Sequence, residues 1–209
     1  YMINTAILDM VGEKIHAGMS TDEINTLVHN FTILHGAIPA PLNYQGYPKS
    51  VCTSINDVIC HGIPSKDEIL KDGDIIGIDI GACYKGYHGD SAWTYAVGEI
   101  DDDKKYLMEH TEKALYKGIE MVKPGNRIGD ISHAVQEYAE SHNLGVVREL
   151  CGHGIGQDMH EDPEVPNFGI PNTGPRLRPG MVICIEPMLT FGDRHVYVED
   201  DDWTVRTQD

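Results

Sequence analysis

One pattern occurs twice in this 209-residue chain, at a constant offset of 107. His16-Ala-Gly-Met-Ser-Thr-Asp-Glu-Ile aligns with Lys123-Pro-Gly-Asn-Arg-Ile-Gly-Asp-Ile. Farther on, Val28, Phe31 and His35 meet Val135, Tyr138 and His142, and Leu70–Asp79 meets Leu177–Glu186. Self-similarity sustained over such a length means that one supersecondary unit has been used twice. Each copy, about residues 16–79 and 123–186, reads helix, helix, strands. The expectation is an α+β chain, one domain over residues 1–209, built from two αβ halves related by a pseudo-twofold axis. Helices lie outside, a curved antiparallel sheet lies inside, and Asp79 and Glu186 are counterparts at the centre.

Apolar periodicity places the elements. Ile3, Ile7, Met10, Val11 and Ile15 form a helical stripe over residues 1–17, ended by Gly18. Ser20 followed by Glu23 is a capping box opening a second helix that runs to about His35. Residues 37–49 are rich in Pro and Gly and predict a pocket-shaping loop. Ser50–Cys60 reads as strand, turn at Asn56-Asp57, strand. An acidic start opens a third helix from Asp102 to Val122, as negative charge at a helix N-terminus should. Pro124-Gly125 breaks it, and a fourth helix covers Ile128–His142. Val146–Leu150 is expected to be a short strand, the following CGHGIGQDMHEDPEVP has no clear period, and Met181–Leu189 is expected to be a strand carrying Glu186. His195–Glu199 and Trp203–Thr207 read as the last strands. The sequence starts at Tyr1 rather than Met and stops just after that alternating segment, so a continuation at both ends is expected.

The stretch LKDGDIIGIDIGACYKGYHGD, Leu70–Asp90, holds the first chemistry. It reads as a buried strand, a turn at Lys85-Gly86 and a returning strand. A two-residue turn pairs Gly81 with Asp90 and Asp79 with Ala92, so the two carboxylates become diagonal neighbours on one face. Like charges that close require a cation between them, or one must stay protonated. A divalent ion meets the need; a solvent-facing Asp beside a turn-linked Asp is the plainer alternative. His153 and Glu186 likewise interrupt Gly-rich or apolar segments. Singly, a loop histidine bonded to backbone and a buried ion-pair partner would account for them. Together, three carboxylates and an imidazole suit Mn, Co, Fe or Zn. More than two carboxylates favour two ions held about 3.5–4 Å apart. The Cys-rich pattern of a structural zinc site is missing. His61 and His160, in CHGIP and GQDMHEDP, could polarise a carbonyl or hold a leaving amine, or serve structure alone.

Composition narrows the partners. A formal charge of -17 and a pI of about 4.9 disfavour direct contact with nucleic acid. No apolar run reaches the length of a membrane span and no basic-then-apolar leader is present. Five cysteines, an odd number without scaffold-like spacing, fit free thiols in a reducing compartment such as the cytoplasm.

Five segments carry a family resemblance: GYPKSVCTSINDVICHGIP (46–64), LKDGDIIGIDIGACYKGYHGDSAWTY (70–95), VVRELCGHGIGQDMHEDPEVPNF (146–168), LRPGMVICIEPM (177–188) and DDWTVRTQD (201–209). They resemble the type I methionine aminopeptidases, within the pita-bread fold shared with aminopeptidase P, prolidase and creatinase. The resemblance implies a hydrolase of two divalent ions that removes the initiator methionine from nascent proteins with a small second residue. It implies a cytoplasmic monomer working on N-terminal peptides near the ribosome. Asp79, Asp90, His153 and Glu186 match the family's metal ligands. His61 and His160 match the residues at the scissile amide and the developing oxyanion, and Glu186 also matches the proton relay. Tyr44, Tyr47, Cys52, Met159 and Trp203 match the methionine side-chain pocket, with Pro41 close by. Met159 stands where the bacterial enzymes commonly have Phe, and Pro41 where they often have Cys. The family's fifth ligand, a second Glu, is expected in a strand beyond Asp209. Two other readings share these residues: a peptidase acting before proline, and a non-catalytic relative that binds a peptide or protein.

Overall fold

A computed structural model describes all residues 1–209. The chain divides into two compact units. The first comprises Tyr1–Asp101, Gln157–Met159 and Val198–Arg206; the second comprises Asp102–Gly156, His160–Tyr197 and Thr207–Asp209.

In the first unit, α1 (Met2–Lys14) and α2 (Thr21–Leu34) precede a short strand β1 (Ile38–Pro39). The Ser20 hydroxyl accepts from the Glu23 amide and the Glu23 carboxylate accepts from the Ser20 amide, completing the capping box. The Pro- and Gly-rich loop contains one 3₁₀ turn at Tyr44–Gly46. Then come β2 (Cys52–Ile55), β3 (Val58–Cys60) and the long hairpin β4 (Ile75–Tyr84) and β5 (Tyr87–Ala96). Every pair of the hairpin keeps the register expected of a turn at Lys85-Gly86, including Gly81 opposite Asp90 and Asp79 opposite Ala92. β1 and β2 both pair with β4, at its two ends, and both are antiparallel to it. Ile76, Ile78 and Ile80 are buried with Ile7, Val11, Ile24 and Val28, so the helices cover one face of β4. The opposite face carries Asp79.

In the second unit, α3 (Asp102–Glu120) and α4 (Ile128–Ser141) pack on each other. β6 (Gly145–Val146), β7 (Gly152–Gly154), β8 (Glu161–Val165) and β9 (Leu189–Thr190) follow. β6 pairs β9, and β7 pairs β8. Val135, Ala139, Leu144, Val146 and Leu189 form one buried cluster, and Ile128, Ile131, Val165 and Leu177 another. β10 (Val196–Val198) and β11 (Val205–Thr207) complete the elements; Val205 and Arg206 of β11 belong to the first unit and pair there with Cys60 and Val58 of β3. No helix is long and apolar enough to cross a membrane.

The two units use matching backbone contacts. Leu70 N donates to Met19 O, and Leu177 N to Asn126 O; Ala40 N donates to Gly81 O, and Val147 N to Met188 O. Ser20 bridges Ile69, and Arg127 bridges Arg176. β1 meets β4 at Ile38–Cys83, and β6 meets β9 at Gly145–Thr190. Each second-unit partner is numbered 107 above its first-unit counterpart.

Three elements differ from expectation. The strand expected over Val146–Leu150 is confined to Gly145–Val146. Gly152–Val165, without sequence period, forms the β7–β8 hairpin. Met181–Leu189 is not one strand: it has an isolated bridge at Ile183 and becomes regular only at Leu189. Pro187 has no amide to donate there, and a ladder cannot run through it.

Replacing the fully buried Ile78 by Ala should lower stability by about 2–5 kcal/mol, the usual cost of a core cavity. Ile33→Ala, at a side chain 51% exposed, should change it by less than about 0.5 kcal/mol. Urea denaturation of both variants checks the contrast.

Candidate metal centre

Within the first unit, β2, β4 and β5 set the positions. Cys52 lies opposite Asp79 across β2–β4, and Asp79 lies opposite Ala92 across β4–β5. Asp90 is one diagonal step from Asp79 on the same face. Both carboxylates are half-buried. Burial and the Asp79 carboxylate push the Cys52 thiol well above its ordinary value, so it stays neutral.

His61 follows β3 with φ +57, in the left-handed region. Gly62 next to it packs on β2 so closely that a Cβ would overlap the Thr53 carbonyl oxygen. Thr53 N donates to Gly62 O at 2.9 Å. The Tyr47 hydroxyl is 2.9 Å from both Val51 O and Gly62 O, tying the loop to the same corner. Burial, with lesser contributions from Cys52, Asp79 and Asp201, raises the Tyr47 phenol beyond its ordinary range. The Tyr47 ring meets Trp203 edge-on at 5.1 Å, and Trp203 meets His61 edge-on at 6.3 Å. Met159 is buried, with its sulfur where a Cβ on Gly81 would come within 3.5 Å. Pro41 Cδ lies at 3.3 Å from that same point. Tyr47, Cys52, Trp203 and His61 are thus gathered about one corner. Tyr44 sits half-buried in the 3₁₀ turn, its hydroxyl 3.4 Å from Gln45 Nε2.

Within the second unit, His153 is central to β7 and buried. Its Nδ1 lies 2.8 Å from Gly154 O. A carbonyl only accepts, so Nδ1 carries the proton and, in the neutral ring, Nε2 carries the lone pair. That Nε2 is 3.2 Å from Glu186 Oε1. A lone pair facing a carboxylate oxygen at this range needs a shared cation, either a proton or a metal ion. Asn167, buried, donates to the Glu186 carbonyl at 2.7 Å and steadies the segment that carries it. The His160 ring stands 4.2 Å from the His153 ring, at 55°. A cavity of about 410 Å³ is lined by Cys151, His153, His160, Glu161, Asp162 and Glu164.

Cys184 joins this group unforeseen. The donor atoms of His153, Cys184 and Glu186 lie within 4.8 Å of one another. The signal was present in sequence, because Cys184 and Glu186 are two apart on an extended segment and share a face. Nitrogen, oxygen and sulfur donors so placed fit a divalent transition ion.

The protein is a metallopeptidase by family: the profile of metallopeptidase family M24 matches residues 2–209, and the chain belongs to that family. Among its relatives, methionine aminopeptidase 1 of Bacillus subtilis is 54% identical over 197 residues, 94% of this chain and 79% of the relative. The crystal structure of methionine aminopeptidase from Rickettsia prowazekii superposes with a TM-score of 0.97 at 45% identity, covering 99% of this chain and 83% of that one. An X-Pro aminopeptidase of Thermotoga maritima, 23% identical with a TM-score of 0.73, shares the fold over 89% of this chain and 50% of its own. The fold is the pita-bread fold.

Burial lowers the His61 pKa below 6.5, and the Asp90 charge only partly opposes it. In the metal-free protein, the His61 ring should therefore titrate below 6.5 by NMR, assigned with His61→Gln. Between the folded and unfolded values the unfolded chain binds more protons, so this group makes stability rise with pH there. His61→Gln should remove that part of the slope in urea unfolding measured across the same window.

Proposed function

We propose that this chain is a metal-dependent aminopeptidase that releases the N-terminal methionine of polypeptides. The observation that carries the reading is the His153 Nε2 lone pair facing the Glu186 carboxylate at 3.2 Å, an arrangement that calls for a cation. The identity to relatives of that activity supports the choice of substrate. Asp79 and Asp90 of the first unit and His153 and Glu186 of the second are the proposed ligands of a centre holding two divalent ions, from among Co, Mn, Fe and Zn. Bound there, such ions supply Lewis acidity toward a carbonyl oxygen and lower the pKa of a water.

The residues of the chain divide the remaining work. Tyr47, Cys52 and Trp203, with Met159 and Tyr44, receive the unbranched thioether side chain, for which aromatic faces and sulfur are good partners. Glu186 takes a proton from the attacking water and passes it to the amine nitrogen as the carbon–nitrogen bond breaks. His61, kept neutral by burial, and His160, beside His153, offer N–H donors to the scissile amide and to the oxygen on which charge develops. Asn167 positions Glu186 through its backbone. The proposed setting is the cytoplasm, with nascent chains bearing a small second residue as substrates, met near the ribosome by a monomer.

Two outcomes test this assignment. His160→Ala should leave metal content near wild type and lower turnover of Met-Ala-Ser by about 10²–10³, the loss expected for a transition-state donor. Elemental analysis beside the peptide assay separates the two effects, and loss of metal would make His160 a ligand. Trp203→Ala should erode the preference for N-terminal Met over Leu, which apolar pocket contacts set at about 1–3 kcal/mol. Unchanged discrimination would remove Trp203 from the pocket.

A further inference from the structure

We infer that Cys184 is a sulfur ligand of the metal centre, giving this site a soft donor alongside its imidazole and carboxylates. The inference rests on the reading above that His153 and Glu186 hold a divalent ion.

The backbone places Cys184 for this role. Gly154 bridges Ile183 in antiparallel sense, so His153 stands directly opposite Cys184. Cys184 N donates to His153 O at 2.7 Å and Ile155 N donates to Val182 O at 3.1 Å, locking that register. Side chains directly opposite across an antiparallel pair share a face. Glu186, two residues on, returns to the same face. The approach is close because Gly152 has no Cβ, which would overlap the Cys184 carbonyl oxygen. The donor atoms of His153, Cys184 and Glu186 accordingly lie within 4.8 Å of one another. Around a tetrahedral ion, bonds of about 2.0 Å to nitrogen and 2.3 Å to sulfur hold the two donors about 3.5 Å apart, so the Cys184 side chain closes on the ion by a shift of up to about 1 Å, which rotation about its side-chain bond supplies. On coordination the thiol proton leaves to solvent and the sulfur binds as thiolate. Thiolate selects for thiophilic ions, so the centre should hold Co and Zn more tightly, relative to Mn, than oxygen donors alone would.

Cobalt reports the bond directly. The intact protein loaded with Co(II) should show a near-ultraviolet sulfur-to-cobalt charge-transfer band besides its visible ligand-field bands. Cys184→Ser should abolish the charge-transfer band, keep the ligand-field bands and weaken Co(II) binding by on the order of 10–100-fold, with Mn(II) binding changed far less. Cys151→Ala, at the thiol that lines the cavity beside His153, should keep the band. In wild type, Zn(II) should protect Cys184 from alkylation, read by peptide mass mapping, which needs no variant to fold. Ligand-field bands without a sulfur band, or a band that survives Cys184→Ser, would overturn the inference and leave the metallopeptidase reading standing. Failure of the protein to bind Co(II) at all would overturn both.

Discussion

Two backbone approaches, each possible only at a glycine, hold the chemistry of this molecule in place. Gly62 lets the chain after β3 press on the Thr53 carbonyl, and Gly152 lets β7 press on the Cys184 carbonyl. Each stands beside a histidine assigned a role in the proposed function, His61 in the first unit and His153 in the second. With a side chain at either glycine, the paired segments would have to separate, and the adjoining imidazole would move with them. The approaches also bring hydrogen bonds, Thr53 N to Gly62 O and Cys184 N to His153 O, so main-chain pairing adds to the contacts of the two imidazoles in fixing them. Groups that must meet a reacting atom within a fraction of an ångström benefit from that rigidity.

The same backbone plan serves both units, with one consequential difference. In the first, β4 runs unbroken over ten residues, pairs on both sides and carries Asp79 in a regular ladder. In the second, the matching segment leaves the ladder around Pro187 and bonds instead through scattered contacts, Cys184 to His153 and Val147 to Met188. Glu186 is thereby presented from an irregular strand, steadied by Asn167 instead of a neighbouring strand. The lone-pair contact with His153 and the approach of Cys184 both arise on that irregular stretch.

The legible parts of the sequence were those governed by local rules. The capping box at Ser20 and the turn at Lys85-Gly86 follow from side-chain chemistry within a few residues, whereas the first helix ends at Lys14, short of the break expected at Gly18. The hairpin register then placed Asp79 and Asp90 on one face without tertiary information. The region 151–189 was less legible because its pairing is long-range and Gly-rich, and it leaves no period to read. A ladder through Glu186 looked sound from its apolar neighbours, and Pro187 argued against it. Cys184 was read only as a free thiol. Its place beside His153 depends on the Gly154–Ile183 bridge, which no local pattern announces. Tyr44 shows the opposite limit: its turn follows from the Pro- and Gly-rich composition, while the direction its side chain takes does not.

Diffraction from crystals grown with Mn(II), with anomalous differences collected at the manganese edge, bears most directly on the claim that His153 and Glu186 hold a catalytic ion. The account predicts anomalous density bonded at about 2.0–2.3 Å to His153 Nε2 and to Glu186. Manganese found only at other sites, with His153 and Glu186 still joined to each other through a proton, would contradict it.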